Sequence, residues 1–549
     1  MNTARAPDST EWSFHERRKR SISSPGMFHR LLVQKDVPIE TRDGGTVCAN
    51  VFRPDDQGQF PVIITLGPYP KDIHFSQWNP AAWRQLPDQN EHMHWETVDP
   101  EWWVPQGYAV VRCDTRGTGK SPGRPRLLSR AEAEDFYDCV EWAGTRRWSN
   151  GKVAVMGVSY FAMSAWRVAA LRPPHLAAIV PWEGAVDLYR DANRHGGIFS
   201  SGFMRMWGSH TRRYQTDGGA SDPAPLPPET LTELFARNHP DLSAIEVPLL
   251  SAGNWGGAGL HLRGNVEGYV GAGSAHKFLQ VHVGDHVAPF YSLEGRLVQR
   301  RFLEQFLRGV DTGITREPPI RLAIRRDHDT YRWRYENEWP IARTRWTVEY
   351  LDAAGPALST DRPGAPQSVS FDAERGAGQP SVRFATPPLE REIEVTGPIK
   401  LKLWVSSTSD DADLFAVVRN LRPDGSEVTY SGPQPGGDSR VAVAYGWLRL
   451  SHRKLDPERS TGYRPYHTHD EIQKVRPGEV VPVEIEILPT SVIFEPGHRL
   501  VIEVGAKDDP RSFFQHDDPR DRIERGNVTV HTGGTFDSHV LLPVIPPLA

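Results

Sequence analysis

The sequence has few cysteines for its length. Cys48, Cys113 and Cys139 are the three in 549 residues, and no two of them form a C-x-x-C pair. This sparse, odd set excludes a disulfide framework and a cysteine zinc site, so we interpret the three residues as core thiols. His92 and His94 in "HMHW" have the spacing of metal ligands, but with no further ligand nearby in the sequence we predict a solvated loop. We expect no metal and no other cofactor.

The sequence also lacks an excess of charge of one sign and any long apolar run. Its 64 basic and 69 acidic residues give a net charge of -5, and its mean hydropathy is -0.51. No large field attracts nucleic acid or an anionic membrane surface, and no segment reads as a signal peptide or a transmembrane helix. We predict a cytoplasmic protein with a small-molecule ester or amide as partner. The sequence leaves open whether the chain forms a homo-oligomer.

From about residue 30 to residue 312, the chain alternates short β-rich runs with longer helical ones. This alternation predicts a mostly parallel sheet covered on both faces, hence the α/β class. We assign residues 1–182 and 246–312 to this core, and 183–245, which carry glycine, proline and histidine breakers, to an inserted cap. The core should end in an amphipathic helix with Leu297, Phe302, Phe306 and Leu307 on its apolar face and Gly309 as its stop.

The pattern changes near residue 313. From there the chain loses long helical periodicity and shows period-two runs such as "PIKLKLWVSS" and "HRLVIEVGA" between turn clusters. We predict a connecting β-rich segment over 313–380 and an all-β sandwich over 381–549.

One stretch has the pattern of a hydrolase nucleophile. In "VAVMGVSYFAMSAW", Ser159 lies where a buried strand would turn sharply into a helix. The usual elbow is G-x-S-x-G, but Phe161 stands at the fifth position. The base should follow a later strand, and His286 ends "LQVHVGDH" in that way, whereas we interpret His282 and His261 as structural histidines.

A second motif superficially suggests nucleotide binding. "DTRGTGKSPG" contains G-K-S, but a P-loop would need glycine where Asp114 stands. A carboxylate there would repel phosphate oxygens, so we exclude an NTPase. We predict instead that Asp114 and Arg116 form a structural ion pair under the elbow.

Several stretches in this order carry a resemblance to a known family. "TLGPYPKD", "VRCDTRGTGKSPG", "GVSYFAMSAW", "AIVPWEGAVDLYR" and "VPLLSAGNWGG" resemble the cocaine esterase and X-Pro dipeptidyl-peptidase family of serine hydrolases. The resemblance implies an α/β-hydrolase core, a helical cap after the sixth strand and a C-terminal jelly roll. It also implies an elbow G-x-S-Y-x-G, which tolerates Phe161 and needs a small residue next, here Ala162.

The same resemblance implies an oxyanion hole and also a triad acid that this sequence lacks. The hole would be the hydroxyl of Tyr69 and the backbone N–H of Tyr160. The family's triad acid should stand at Gly257, and glycine cannot orient an imidazole. Three residues could replace it: Glu183 at the end of the sixth strand, which is better placed, Asn254, and Asp285, which is the weakest because it is too close in sequence to reach its neighbour's ring.

These residues predict hydrolysis of an ester or amide by a serine nucleophile through an acyl-enzyme, with Ser159, His286 and Glu183 as catalytic residues. Three alternatives stay open. The chain could act as an X-Pro dipeptidyl-peptidase, as an α-amino acid ester hydrolase or acyltransferase, or, given Gly257, as a catalytically inactive binding protein.

Overall fold

The computed structural model describes residues 12–13, 30–215, 226–374 and 380–547. Part of the predicted cap, residues 216–225, lies outside the described residues, as does 375–379. No described helix combines the length and apolar character needed to cross a bilayer.

The N-terminal half is built on strands that read as apolar runs because both of their faces are buried. Phe60–Gly67, for example, is buried at every position. The strands are β1 Trp12–Ser13, β2 Leu31–Glu40, β3 Thr46–Pro54, β4 Phe60–Gly67, β5 Ala109–Asp114, β6 Ser149–Val158, β7 Leu176–Trp182, β8 Arg194–His195, β9 Ile198–Phe199, β10 Leu249–Asn254 and β11 Lys277–His282.

Eight of these strands form one sheet in the order β2–β3–β5–β4–β6–β7–β10–β11. The pairs β2–β3 and β3–β5 are antiparallel and the remaining pairs are parallel. The carboxyl ends of β6, β7, β10 and β11 therefore meet at one edge. In an open α/β sheet this edge is where ligands bind.

The helices are α1 Phe75–Trp78, α2 Pro80–Gln85, α3 Pro100–Trp103, α4 Arg130–Gly144, α5 Tyr160–Ala169, α6 Ser201–Arg212, α7 Glu233–Asn238, α8 Leu262–Gly271, α9 Ala288–Tyr291 and α10 Leu293–Arg308. α10 is the predicted closing helix, and Gly309 ends it with a φ of 70°. Leu297, expected on its buried face, is 48% exposed, so that part of the prediction was wrong. Short 3₁₀ turns lie at Val104–Gln106, Leu242–Ala244, Ile314–Arg316 and Leu450–His452, and a π-helical turn at Leu188–Asn193.

The C-terminal half is made of strands in the described residues, apart from one 3₁₀ turn after Ile320. They are β12 Ile320–Arg325, β13 Thr330–Glu336, β14 Arg345–Asp352, β15 Ala357–Ser359, β16 Gln367–Asp372, β17 Ser381–Ala385, β18 Ile393–Ser407, β19 Asp413–Leu421, β20 Glu427–Val428, β21 Tyr430–Ser431, β22 Arg440–Val441, β23 Ala444–Arg449, β24 Val481–Phe494, β25 Arg499–Gly505, β26 Asn527–Thr532 and β27 His539–Ile545. Long β18 pairs antiparallel with β24, β26 and β27. The jelly-roll topology stays a prediction.

The two halves are joined through the sheet itself. β12 pairs parallel with β11 of the core, through Leu279 and Ile320 among others, and β12 also touches β24. Ile198 of the predicted cap and Ala258, after β10, pack into the hydrophobic core of the C-terminal half. These contacts fix the C-terminal half against the loops at the carboxyl edge of the core sheet.

Candidate active site

Ser159 lies in the sharp turn between β6 and α5. Its φ is 57° and its ψ is -114°, an unfavourable conformation for a residue with a side chain. The surrounding backbone holds the turn, because the N–H of Ser159 donates to the carbonyls of Trp182 and Glu183, both at 3.0 Å. A strained turn of this kind presents the serine hydroxyl at the top of the sheet, as in a nucleophile elbow.

The bulky fifth residue of the elbow fits because its neighbours are small. A Cβ added to Gly157 would lie 2.6 Å from the Cβ of Phe161, and one added to Gly67 would lie 2.7 Å from its ring. A Cβ at Gly184 would lie 2.6 Å from that of Ala162. The space that the usual elbow obtains from its last glycine is thus provided here by glycines on β4, on β6 and after β7.

The hydroxyl of Ser159 contacts the ring of His261. Its Oγ lies 3.2 Å from Nε2 of His261, the residue that precedes α8, and Nδ1 of that ring lies 3.6 Å from Oε2 of Glu183. Burial lowers the pKa of His261 to about 4, so the ring is neutral at pH 7. Because a carboxylate only accepts, the ring proton belongs on Nδ1, and Nε2 accepts from the serine.

His286 lies beside His261 in a different state. Its Nδ1 is 2.8 Å from Oε2 of Glu183 and its Nε2 is 2.9 Å from Oε1 of Glu96. Burial opposes the charged ring, but the two carboxylates prevail and raise the pKa of His286 to about 10. The two imidazoles stack in parallel, with centroids 5.0 Å apart and 7° between their planes. His286 is therefore an imidazolium that donates to both carboxylates.

Glu183 is the carboxylate that both rings share. It follows β7, is fully buried and has a φ of 49°. Burial works against its charge, but the charge of His286 and the hydrogen bonds of both histidines lower the pKa of Glu183 to about 2. A Cβ built at Gly257 would lie 3.6 Å from its Oε2. Glu183 thus extends into the space in front of the residue where the expected acid is missing.

The other two candidates for the triad acid have different hydrogen-bond partners. Nδ2 of Asn254 donates to Oε1 of Glu183 at 3.2 Å and to the carbonyl of Gly284 at 2.9 Å, so Asn254 holds the carboxylate and touches neither ring nitrogen. Asp285 accepts the backbone N–H groups of Val287 and Ala288. Its side chain therefore faces the start of the next helix.

Tyr69 and Tyr160 both lie near the serine, and their rings pack edge to face with centroids 6.0 Å apart. Tyr69 is buried, its hydroxyl interacts with that of Ser159, and burial raises its pKa well above the usual value. The N–H of Tyr160 belongs to the first turn of α5, where backbone donors have no partner within the helix. The hydroxyl of Tyr160 points elsewhere, to the carboxylate of Glu132 at 2.7 Å. The two predicted oxyanion donors thus both lie next to the nucleophile.

The backbone beyond Tyr69 is held by two residues whose predicted roles were wrong. Oδ1 of Asp114 accepts the N–H of Lys71 at 2.6 Å, whereas the guanidinium of Arg116 pairs with Asp43 at 2.7 Å, so the expected ion pair does not form. His94 is buried, with Nε2 2.9 Å from the carbonyl of Pro70. Asp114, the last residue of β5, is buried, and its carboxylate is stabilised by accepting the backbone N–H groups of Lys71 and Lys120.

The C-terminal half closes one side of the site. The N–H of His286 donates to the carbonyl of Pro433 at 3.0 Å, and a Cβ on Gly256 would lie 2.4 Å from the carbonyl oxygen of Ser431. The loops after β10 and β11 are thus packed against the segment around β21.

Glu183, His261 and His286 could also be considered as metal ligands. One ligand atom from each lies within 4.8 Å of the other two. A metal would need a lone pair on each Nδ1, and in the hydrogen-bonded arrangement these nitrogens carry the protons that face Glu183. An arrangement in which both Nδ1 atoms carry a proton is suited to proton transfer and not to metal binding.

The structure brings together Ser159, Glu183, His286 and the two tyrosines, as the sequence predicts. The hydrogen bond of the serine, however, goes to His261 and not to His286. Sequence reasoning treated His261 as structural and missed Glu96 altogether. His261 could have been suspected because the loops after β10 and β11 end side by side, whereas Glu96 belongs to no motif, and only its φ of 61° and its burial single it out.

Two family models match the chain. That of the X-Pro dipeptidyl-peptidase (S15 family) matches residues 43–227, and that of the X-Pro dipeptidyl-peptidase C-terminal non-catalytic domain matches residues 312–541. The second match covers the strands of the C-terminal half from β12 onward, up to within β27.

The chain is similar to known proteins over most of its length. The chain is 25% identical to the cocaine esterase of Rhodococcus sp. over 93% of this chain and 98% of that protein, and 26% identical to a putative serine esterase of Mycobacterium tuberculosis over 81% and 84%. A CocE/NonD family hydrolase from Staphylococcus aureus superposes with a TM-score of 0.88 at 33% identity, covering 94% of both chains. An α-amino acid ester hydrolase, at 16% identity, covers 96% of this chain and 98% of its own with a TM-score of 0.69, a likeness of fold alone.

Proposed function

Since the chain belongs to the CocE/NonD and X-Pro dipeptidyl-peptidase (S15) family of hydrolases, we propose that it hydrolyses a carboxylic ester through an acyl-enzyme on Ser159. The observation that carries the proposal is the 3.2 Å contact between Oγ of Ser159, in its strained turn, and the neutral ring of His261. A neutral imidazole facing a serine hydroxyl is the arrangement that a general base requires.

In the proposed reaction, Oγ of Ser159 attacks the ester carbonyl while Nε2 of His261 takes its proton. The imidazolium formed is stabilised by Glu183, whose Oε2 lies 3.6 Å from Nδ1. The tetrahedral oxyanion accepts from the hydroxyl of Tyr69 and the N–H of Tyr160. The proton then passes from His261 to the departing alcohol, and a water attacks the acyl-enzyme by the same route.

His286 has a supporting part in this mechanism. As an imidazolium between Glu183 and Glu96 it keeps Glu183 ionised, and its Nε2 is bonded to Glu96 at 2.9 Å instead of to the serine. A ring whose pKa is about 10 cannot accept a proton at pH 7. The proposal therefore names His261 as the base, whereas the sequence alone predicts His286.

Labelling with a fluorophosphonate tests the nucleophile directly. The wild-type protein should form one serine adduct at Ser159, and Ser159→Ala should lose both the adduct and turnover of a p-nitrophenyl ester. Ser164→Ala is the matched control, because Ser164 lies on the same helix but donates to the carbonyl of Phe161. An intact adduct in Ser159→Ala, or no serine adduct in the wild type, would rule out the proposal and favour an inactive binding protein.

A substrate panel tests the choice of an ester. We expect p-nitrophenyl butyrate to be turned over with a kcat/KM well above that of Gly-Pro-p-nitroanilide. The reverse order would assign the chain to the X-Pro dipeptidyl-peptidases. Addition of an amine or alcohol distinguishes an acyltransferase, because the acyl group would then pass to the added nucleophile in preference to water.

A further inference from the structure

One side chain of the predicted cap bonds directly to the oxyanion donor. Trp207 lies on α6, Ser201–Arg212, and its indole Nε1 donates to the hydroxyl oxygen of Tyr69 at 3.0 Å. Its ring also stacks on that of Tyr160, with centroids 6.2 Å apart and 15° between the planes. Trp207 thus touches both residues that would hold the oxyanion.

The direction of this bond follows from the chemistry of the indole. Indole nitrogen is a donor only, whereas a phenol has one proton to give and two lone pairs to accept with. The oxygen of Tyr69 therefore accepts from Trp207, and its own proton is directed to another acceptor. The hydroxyl of Ser159 is a neighbour with which the hydroxyl of Tyr69 interacts.

The direction of the bond between Ser159 and His261 is fixed as well. Ser159 donates to Nε2 of His261, because the proton of that ring faces Glu183. Two donors in this group therefore have a fixed direction: Trp207 donates to Tyr69, and Ser159 donates to His261.

We propose that Trp207 is a positioning residue for catalysis, which fixes the proton of Tyr69 toward the oxyanion and so makes the oxyanion hole depend on the placement of α6. The inference rests on the proposed function. When Ser159 attacks and the carbonyl oxygen takes its charge, that oxygen accepts a hydrogen bond from the hydroxyl of Tyr69, while the indole still occupies a lone pair of the phenol oxygen. An effect through Tyr69 should appear in kcat and leave KM nearly unchanged.

A double-mutant cycle with Trp207→Phe and Tyr69→Phe tests this inference. Trp207→Phe keeps an aromatic ring against Tyr160 but removes the donor, and we expect kcat to fall by about 3- to 10-fold, the range of one neutral hydrogen bond. Tyr69→Phe should cost about 10²-fold or more, as for other oxyanion donors. The added Trp207→Phe change should then cost nothing further, because it acts only through the missing hydroxyl.

Trp78→Phe is the matched control. Trp78 packs its ring against that of Tyr69 at 4.8 Å, so any loss that it causes by packing should be equal in the presence and absence of the Tyr69 hydroxyl. Thermal unfolding of each variant separates a loss of folding from a loss of turnover.

The outcomes distinguish this inference from the proposed function. Loss of activity in Ser159→Ala and in Tyr69→Phe, with no loss in Trp207→Phe or with the same loss in both backgrounds, would overturn the role of Trp207 and leave the hydrolase intact. Full activity in Ser159→Ala would instead remove the proposed function and the inference with it.

Discussion

Two loops at the carboxyl edge of the sheet bring a histidine to the same carboxylate, and the two histidines differ in charge. His261 follows β10 and has one carboxylate nearby, at 3.6 Å, with a serine hydroxyl at its other nitrogen. His286 follows β11 and has a carboxylate within 2.9 Å of each nitrogen. The second partner decides the protonation state, since a hydroxyl adds no charge whereas the carboxyl group of Glu96 raises the pKa of His286, even though burial raises the pKa of Glu96 itself.

The difference shows how a chain without the expected aspartate can still have an oriented base. Glu183 alone would have to be held ionised in a fully buried place, which costs several kcal/mol without a partner. The imidazolium of His286 supplies that partner, and His261 is left neutral to accept the serine proton. The pair thus separates two tasks: one histidine neutralises the acid and the other exchanges the proton.

The largest expected effect is the difference in kcat between two single variants, in which His261 or His286 is replaced by glutamine. We expect His261→Gln to lower kcat by about 10⁴-fold or more, as the loss of a base in a serine triad does. His286→Gln should retain measurable turnover, because a glutamine amide can still donate to Glu183. Steady-state kinetics with a p-nitrophenyl ester measure both.

The reverse ranking would assign the base to His286, as the sequence predicts. Because removal of a buried partner costs about 3–5 kcal/mol of folding, the unfolding midpoint of each variant must accompany its kinetics. If both variants lost turnover equally while staying folded, neither ring alone would be the base.

Glu183→Gln should have the next largest effect. The amide keeps the shape of the side chain but loses the charge that both rings share, and turnover should fall by about 10³- to 10⁴-fold, since loss of the charge on a triad acid costs that much elsewhere. Active-site titration with a fluorophosphonate checks that the serine is still present and correctly folded. Turnover within tenfold of wild type would show that another group orients the base.

The pH dependence of kcat/KM sharpens the contrast further. The base must be neutral, and burial lowers the pKa of His261 to about 4, so wild-type activity should persist well below pH 6.5. The charge of His286 contributes to that lowering. His286→Gln removes the charge, so the acid limb should move upward by roughly one to two pH units. His92→Gln, which removes a partly exposed ring paired with Glu101, should leave the limb in place.

The raised pKa of His286, unlike the lowered pKa of His261, should make the free energy of unfolding fall as the pH rises. The pKa of His286 is about 10 in the folded chain and about 6.5 when unfolded, so the folded state binds more protons between these values. Its contribution to the free energy of unfolding is complete below pH 6.5 and is lost as the pH rises to 10. Urea unfolding of His286→Gln should show a flatter alkaline limb than the wild type. An unchanged slope would mean that the ring is not charged.

Only part of the fold and of this site could be predicted from the sequence. The sheet, the elbow at Ser159 and the approach of Glu183 to His286 follow from apolar runs, a motif and the order of strands. The contact between Ser159 and His261 depends on the path of a glycine-rich loop over 256–259. The contact between His286 and Glu96 depends on the backbone of Glu96, whose φ is 61°. Hydrophobic periodicity encodes neither feature. The contacts of the C-terminal half with the site join residues more than a hundred positions apart, such as His286 and Pro433.

The smallest expected effect is that of Asn254→Ala. Asn254 has no hydrogen bond to His261 or His286, but its amide donates to Oε1 of Glu183 and to the carbonyl of Gly284 at the start of the His286 loop. Losing these bonds should cost about 1–2 kcal/mol of unfolding free energy. Turnover should stay within about tenfold, or 1.4 kcal/mol of barrier, because His286 still neutralises Glu183. A loss as large as that of Glu183→Gln would mean that the carboxylate works only when all its neighbours are in place, and that the two histidines cannot be separated into a neutral base and a charged support.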